Sequence, residues 1–253
     1  MDVAVRPEAL VGFCLALVRT TAWIVICPPF NMPAIPVRIR IGMAVAISFV
    51  VAGHVSPETV ALDTASFLGA LLTQALAGLA FGFFVFVLFN AVQMAGELID
   101  LQVGFSLGGV IDPLSGNTAA PIGRLHQLLG LAILFAINGH VLVVRGFLRS
   151  VDAVPVGRLD LGQLAEELTK LLGVLLVASL EIALPILATL FCVEVALGLL
   201  GKAAPQLNIL VLGFAVKAAI AFALLGTTLV LLPGSTQSLL ERAVRSAGRV
   251  FTG

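Results

Sequence analysis

The chain has 253 residues and a mass of 26.2 kDa, with 60% apolar side chains, 25 glycines and 11% charged residues. Soluble domains carry about 25% charge and about 45–50% apolar residues with glycine included, so this composition excludes a soluble globular fold, a disordered chain and a collagen-like repeat. Lys plus Arg and Asp plus Glu both number 14, which leaves no basic excess and excludes nucleic acid as a partner. What remains is an all-α, multi-pass membrane protein.

A spanning helix needs about 20 apolar residues. The first candidate is Ala9–Cys27, interrupted by Arg19 and followed by no small-residue cleavage pattern, so it reads as a retained helix. A stiff linker with Pro28, Pro29, Pro33 and Pro36 follows. The second candidate, Ile39–Gly53, is short for a span, and the third, Phe67–Phe89, is rich in Phe. The third run then turns polar. Asn90, Gln93, Glu97 and Asp100 recur at steps of three, four and three, which places all four on one helical face. Such a stripe suits a helix lining a wet path or meeting a neighbouring subunit, because a carboxylate left in lipid costs about 2.5–3.5 kcal/mol or more, and it equally suits a helix that simply emerges into water. The stretch from Gly104 to Pro121 is a loop by its glycines and prolines. Gly104 and Gly109 have the spacing of a phosphate loop, but Val110 and Ile111 stand where Lys and Ser or Thr are required, so nucleotide binding is rejected.

The fourth candidate is Leu128–Val144. The fifth, Leu171–Leu200, is too long for one span, and Pro185 within it predicts a kink or a break. Gly162–Lys170 reads as a helical lead into it. The sixth is Ile209–Leu232, with Lys217 inside. The tail Ser238–Phe251 is amphipathic: Leu239, Leu240, Ala243, Val244, Ala247, Val250 and Phe251 share one face, and Arg242, Arg245 and Arg249 another. It is read as lying on a membrane surface or docking on a partner. With six spans, Arg6, Arg145, Arg149, Arg158, Lys170, Arg242, Arg245 and Arg249 fall on one side. Only Arg38, Arg40, Arg124 and Lys202 fall on the other, which favours cytoplasmic termini.

Nothing in the pattern calls for a metal or cofactor. Cys14, Cys27 and Cys192 lie in or beside apolar runs without C-x-x-C spacing, and His54, His126 and His140 have no ligand spacing. Arg19, Glu181, Glu194 and Lys217 interrupt apolar runs, either as an ion or proton path or as partners paired between helices or subunits. Gly78 and Gly82 form a G-x-x-x-G that permits close helix packing.

Five stretches together carry a resemblance. They are Pro29-Phe30 through Pro36-Val37-Arg38; Gly96-Glu97-Leu98-Ile99-Asp100-Leu101-Gln102-Val103-Gly104-Phe105-Ser106; Asp112-Pro113; Asn138-Gly139-His140; and Ala196 through Ile209, which contains Lys202, Pro205, Gln206 and Asn208. In order and spacing they resemble the FliR/SctT family, the R subunit of the flagellar type III export gate. The resemblance implies a non-enzymatic subunit, multi-pass in the bacterial inner membrane at the flagellar basal body. It implies a P-subunit-like part, 1–127, and a part with a Q-subunit-like hairpin, 128–253, packed in a heteromeric helical assembly with P and Q subunits. That assembly is the channel by which unfolded flagellar proteins leave the cytoplasm, and its further partners are the B-type export switch protein and the A-type export protein. The loop at about Phe105–Asn117, with Phe105, Leu107, Gly108, Gly109, Val110, Ile111, Asp112 and Pro113, corresponds to the family's plug.

Two other readings compete. A small-solute secondary transporter is motivated by a broken fifth segment carrying Glu181, Pro185 and Glu194. An intramembrane enzyme would use Glu97 and Asp100, and would need further polar groups that the sequence offers sparsely. The missing tyrosine and the single tryptophan, Trp23, leave no interfacial aromatic belt. They point to helices that meet protein more than lipid.

Overall fold

The computed structural model describes residues 7–32, 35–54, 64–105, 120–153 and 160–252. It is all-α: α1 (Pro7–Ile26), α2 (Val37–Ala52), α3 (Thr64–Val103), α4 (Pro121–Ala136), α5 (Gly139–Ala153), α6 (Leu161–Ala203) and α7 (Ile209–Thr252). Among the described residues there is no strand. Four helices, α1, α3, α6 and α7, are long and apolar enough to cross a membrane, and the consecutive pair α4 and α5 passes the same test together. The second segment forms a 16-residue helix, about 24 Å at 1.5 Å per residue and shorter than a hydrocarbon core of about 30 Å.

Three sequence expectations change. The fourth segment is not one helix: the chain breaks at Ile137–Asn138, where Asn138 has φ 55. Asparagine tolerates this left-handed conformation, and Gly139 restarts the helix. Of the kink or break expected at Pro185, the break does not occur, since α6 runs through it for 43 residues. Proline removes one backbone donor, but the neighbouring Ala183 and Ile186 are buried and hold the helix in place. The sixth segment and the tail, read separately, form one 44-residue helix with Pro233 inside.

The chain forms two compact units. One holds α1, α2, α3 up to Leu88, α5, the start of α6 to Leu172 and the end of α7 from Leu239. Its core is aromatic. Trp23 stacks on Phe147 with ring centroids 4.1 Å apart, and Phe81 meets Phe147 edge-on at 6.1 Å. Arg19 is fully buried beside them. Its guanidinium donates to Gln74 Oε1 at 3.0 Å, to Ser150 Oγ at 3.1 Å and to the Ser150 carbonyl, so one cation ties α1, α3 and α5. Buried charge is tolerated only when its donors are met in this way. The tail belongs here too. Leu239, Leu240, Ala243 and Ala247 are buried within the chain's own unit, Arg242, Arg245 and Arg249 face outward, and Gln163 Nε2 donates to the Arg249 carbonyl. The amphipathic face is therefore covered by the protein itself.

The G-x-x-x-G of α3 has its partner in α1. A Cβ at Gly78 would overlap the Arg19 carbonyl, and one at Gly82 would press on the Trp23 carbonyl. Gly78→Ile should therefore push α1 off α3 and cost about 1–3 kcal/mol, the usual range for overpacking. Gly69→Ile, in the same helix with open space around its Cβ position, is the matched control. Unfolding midpoints of the detergent-solubilised protein check the difference.

Candidate functional site

The second unit holds α3 from Phe89, α4, α6 from Gly173 and α7 to Ser238. The polar stripe of α3 lies here and divides by environment. Asn90 and Gln93 are half-buried, Glu97 is exposed and Asp100 is completely buried. Gln93 Nε2 donates to Glu97 Oε1 at 2.8 Å, an i,i+4 pair along the helix.

Asp100 turns toward α4. Its Oδ1 accepts the backbone N–H of Ile122 at 3.1 Å, and its Oδ2 accepts that of Gly123 at 2.7 Å. The first N–H groups of a helix have no partner within it, and Ala120 at the cap position has no side chain that could supply one. Pro121 removes one of these donors, and the carboxylate of another helix meets the next two. The approach requires two glycines. A Cβ on Gly96 would overlap Ile122 and Gly123, and a Cβ on Gly123 would overlap Glu97 Cγ. The Gly96-Glu97-Leu98-Ile99-Asp100 motif thus sets a close crossing and a charged cap within one turn. His126, one turn on, is buried and donates Nδ1–H to the Ile122 carbonyl at 2.9 Å.

α3 ends immediately afterwards. Gly104 takes φ 105, and the N–H groups of Gly104 and Phe105 both return to the Asp100 carbonyl at 3.0 Å. Only glycine adopts this conformation without strain. The Phe105 ring packs edge-on against Phe214 at 5.5 Å and Phe222 at 6.2 Å, both on α7. Lys217, from the same helix, donates Nζ–H to the Gln102 carbonyl at 2.9 Å. Gln102 Nε2 donates to Glu194 Oε2 of α6 at 2.7 Å, and Lys217 Nζ lies 4.0 Å from Glu194 Oε1. Of the charges that interrupt apolar runs, the fold therefore brings Glu194 and Lys217 together and hydrogen-bonds Arg19 to Gln74 and Ser150. Glu181 makes no ion pair among the described residues. Leu107, Gly108, Gly109, Val110, Ile111, Asp112 and Pro113 lie outside the described residues.

The second conspicuous sequence block joins α6 to α7. Lys202 is exposed in the last turn of α6, where a cation suits the helix dipole. Pro205 and Gln206 form the turn, and Asn208 Oδ1 accepts the Val211 N–H at 3.3 Å as the cap of α7. On α6, Val177, Glu181, Leu184, Ala188, Phe191 and Val195 are exposed at alternating steps of four and three, a seam of the kind that receives another helix. The opposite face, with Ala178, Ile182, Ile186 and Leu190, is buried. The sequence reading missed Gly123, Gln74 and Ser150, and it quoted Gln102 within the Gly96–Ser106 block without a role. For the first three, only the Pro121-Ile122-Gly123 helix start offered a signal.

These features define an all-α, multi-pass membrane protein in which buried polar ties fix helices to one another. A family profile described as bacterial export proteins, family 1, matches residues 10–243, and the chain belongs to that family. It is 31% identical over 219 residues to the flagellar biosynthetic protein FliR of Bacillus subtilis, covering 85% of this chain and 84% of that protein. Over 217 residues it is 31% identical to the protein of the same name in Escherichia coli, covering 85% and 83%. It is also 26% identical over 231 residues to the Yop proteins translocation protein T of Yersinia pestis, covering 88% and 87%.

Asp100→Ala should leave the Ile122 and Gly123 amides without acceptors and destabilise the protein by about 2 kcal/mol, the upper range for a lost cap. Asp100→Asn, which keeps one acceptor oxygen, should lose less. Amide hydrogen exchange at the start of α4 measures both.

Proposed function

We propose that the chain is the R-type subunit of a type III protein export gate in the bacterial cytoplasmic membrane, a non-enzymatic component of the flagellar basal body. In this reading it joins P-type and Q-type subunits to form the channel for unfolded flagellar proteins, and it also meets the B-type export switch protein and the A-type export protein. The match across residues 10–243, with flagellar relatives of nearly equal length, carries the proposal.

The geometry supports it in two ways. Asp100 fastens the end of α3 to the start of α4. A tie between the two helices that flank the plug assigned to residues 105–117 suits that assignment. The exposed α6 seam suits a chain whose neighbours are helices of other subunits. The polar stripe contributes Gln93 and Glu97 to such a surface or to the lumen, while Asp100 is committed inside the chain. The transporter reading rested on a broken fifth segment, and α6 is continuous.

Deleting Gly108–Ile111 should raise ion leak through the assembled gate while the chain still co-purifies with P-type and Q-type proteins. Unchanged leak together with unchanged secretion would remove the plug assignment. Isolation of the chain alone or as a homo-oligomer would remove the gate reading.

A further inference from the structure

The geometry points to a charge-compensated latch at the end of α3, in which Lys217 and Glu194 hold that end docked and become each other's partner when it leaves. The inference rests on the gate reading for its consequence, but on the contacts around Gln102 for its mechanism.

Gln102 stands between two opposite charges and serves both. Its backbone carbonyl accepts from Lys217 Nζ at 2.9 Å, and its side-chain amide donates to Glu194 Oε2 at 2.7 Å. The two charges do not bond each other directly. Nζ and Oε1 are 4.0 Å apart, beyond hydrogen-bond distance, although a direct ammonium–carboxylate contact is the stronger interaction. The lysine side chain is only 17% exposed and the glutamate 56%. An ammonium so enclosed is costly without a partner. Had Lys217 only the Gln102 carbonyl to bond, withdrawal of α3 would strand it. With Glu194 already one short movement away, withdrawal lets the pair close, and no charge is left alone. What is given up is the helix-end hydrogen bond, the amide contact and the packing of Phe105 against Phe214 and Phe222. The same three elements, α3, α6 and α7, thus have two satisfied arrangements, which is the requirement for a two-state element.

This assigns separate jobs to the two charges, and variants pull them apart. Glu194→Gln keeps the docked contacts, since an amide oxygen still accepts from Gln102 and Lys217 still reaches the carbonyl. It removes the charge that Lys217 faces at 4.0 Å when docked and would close on after withdrawal. The exchange Lys217→Glu with Glu194→Lys keeps a pair for the withdrawn state but sets a carboxylate against the Gln102 carbonyl, which undoes docking.

The test uses the full chain in cells carrying the whole export apparatus, with Cys14, Cys27 and Cys192 replaced by Ala and with Phe105→Cys and Phe214→Cys introduced as a reporter of docking. Disulfide yield is normalised to chain present in the membrane. Glu194→Gln should keep the yield at or above the parent value and lower secretion of flagellar proteins about tenfold, without added ion leak. The charge exchange should lower the yield about tenfold and raise leak. A lower yield in Glu194→Gln, or a parent-like yield in the exchange, would show a static support and overturn the latch. If the yields separate as stated while secretion ignores every variant, including loss of the whole chain, the latch stands and the export reading falls.

Discussion

The start of α4 cannot complete its own hydrogen bonding, and this deficit organises the second unit. Ala120 offers no capping oxygen and Pro121 no backbone donor, so the free N–H groups of Ile122 and Gly123 must find an acceptor elsewhere. They find the Asp100 carboxylate, 22 and 23 residues earlier on the preceding helix but adjacent in space. The contact dictates its surroundings. Backbone must approach backbone, which selects Gly96 and Gly123, and the chain must leave α3 immediately afterwards, which selects Gly104. A motif of five residues is therefore explained by one cap.

Both units follow the same rule by different means. In an apolar interior, a charged group is stable only when its donors or acceptors are nearly all met. Arg19 meets a glutamine, a hydroxyl and a carbonyl, while Asp100 meets two amides. Directional hydrogen bonds fix geometry more narrowly than a salt bridge between flexible side chains, so each tie also sets the register of the helices it joins. The Gln102 contacts differ, because there two opposite charges share a neutral intermediary and the arrangement has an alternative.

Much of this was legible in the sequence. The apolar runs marked helices α1, α2, α3, α6 and α7, and the stripe from Asn90 to Asp100 marked the site. The failures have specific causes. Hydropathy says nothing of backbone direction, so Leu128–Val144 read as one helix although Asn138-Gly139 inside it is a stop-and-restart signal. Breaker rules weigh one lost hydrogen bond without the packing that offsets it, so they overstate a break at Pro185. Amphipathicity identified the buried face of the tail but not what covers it. Partners such as Gln74 and Ser150 are neutral, isolated and without period, and the role of Gln102, though it sits in a quoted motif, exists only through space. The even spacing of the stripe concealed that Asp100 points inward while Glu97 does not.

The indole of Trp23 has a use beyond packing. It lies fully buried, stacked on Phe147 at 8° between planes and met edge-on by Phe30 at 5.1 Å, and the chain contains no tyrosine. Ultraviolet emission excited beyond the phenylalanine band therefore originates from a single chromophore at a single address. The protein carries its own optical probe for the junction of α1 and α5, free of any label.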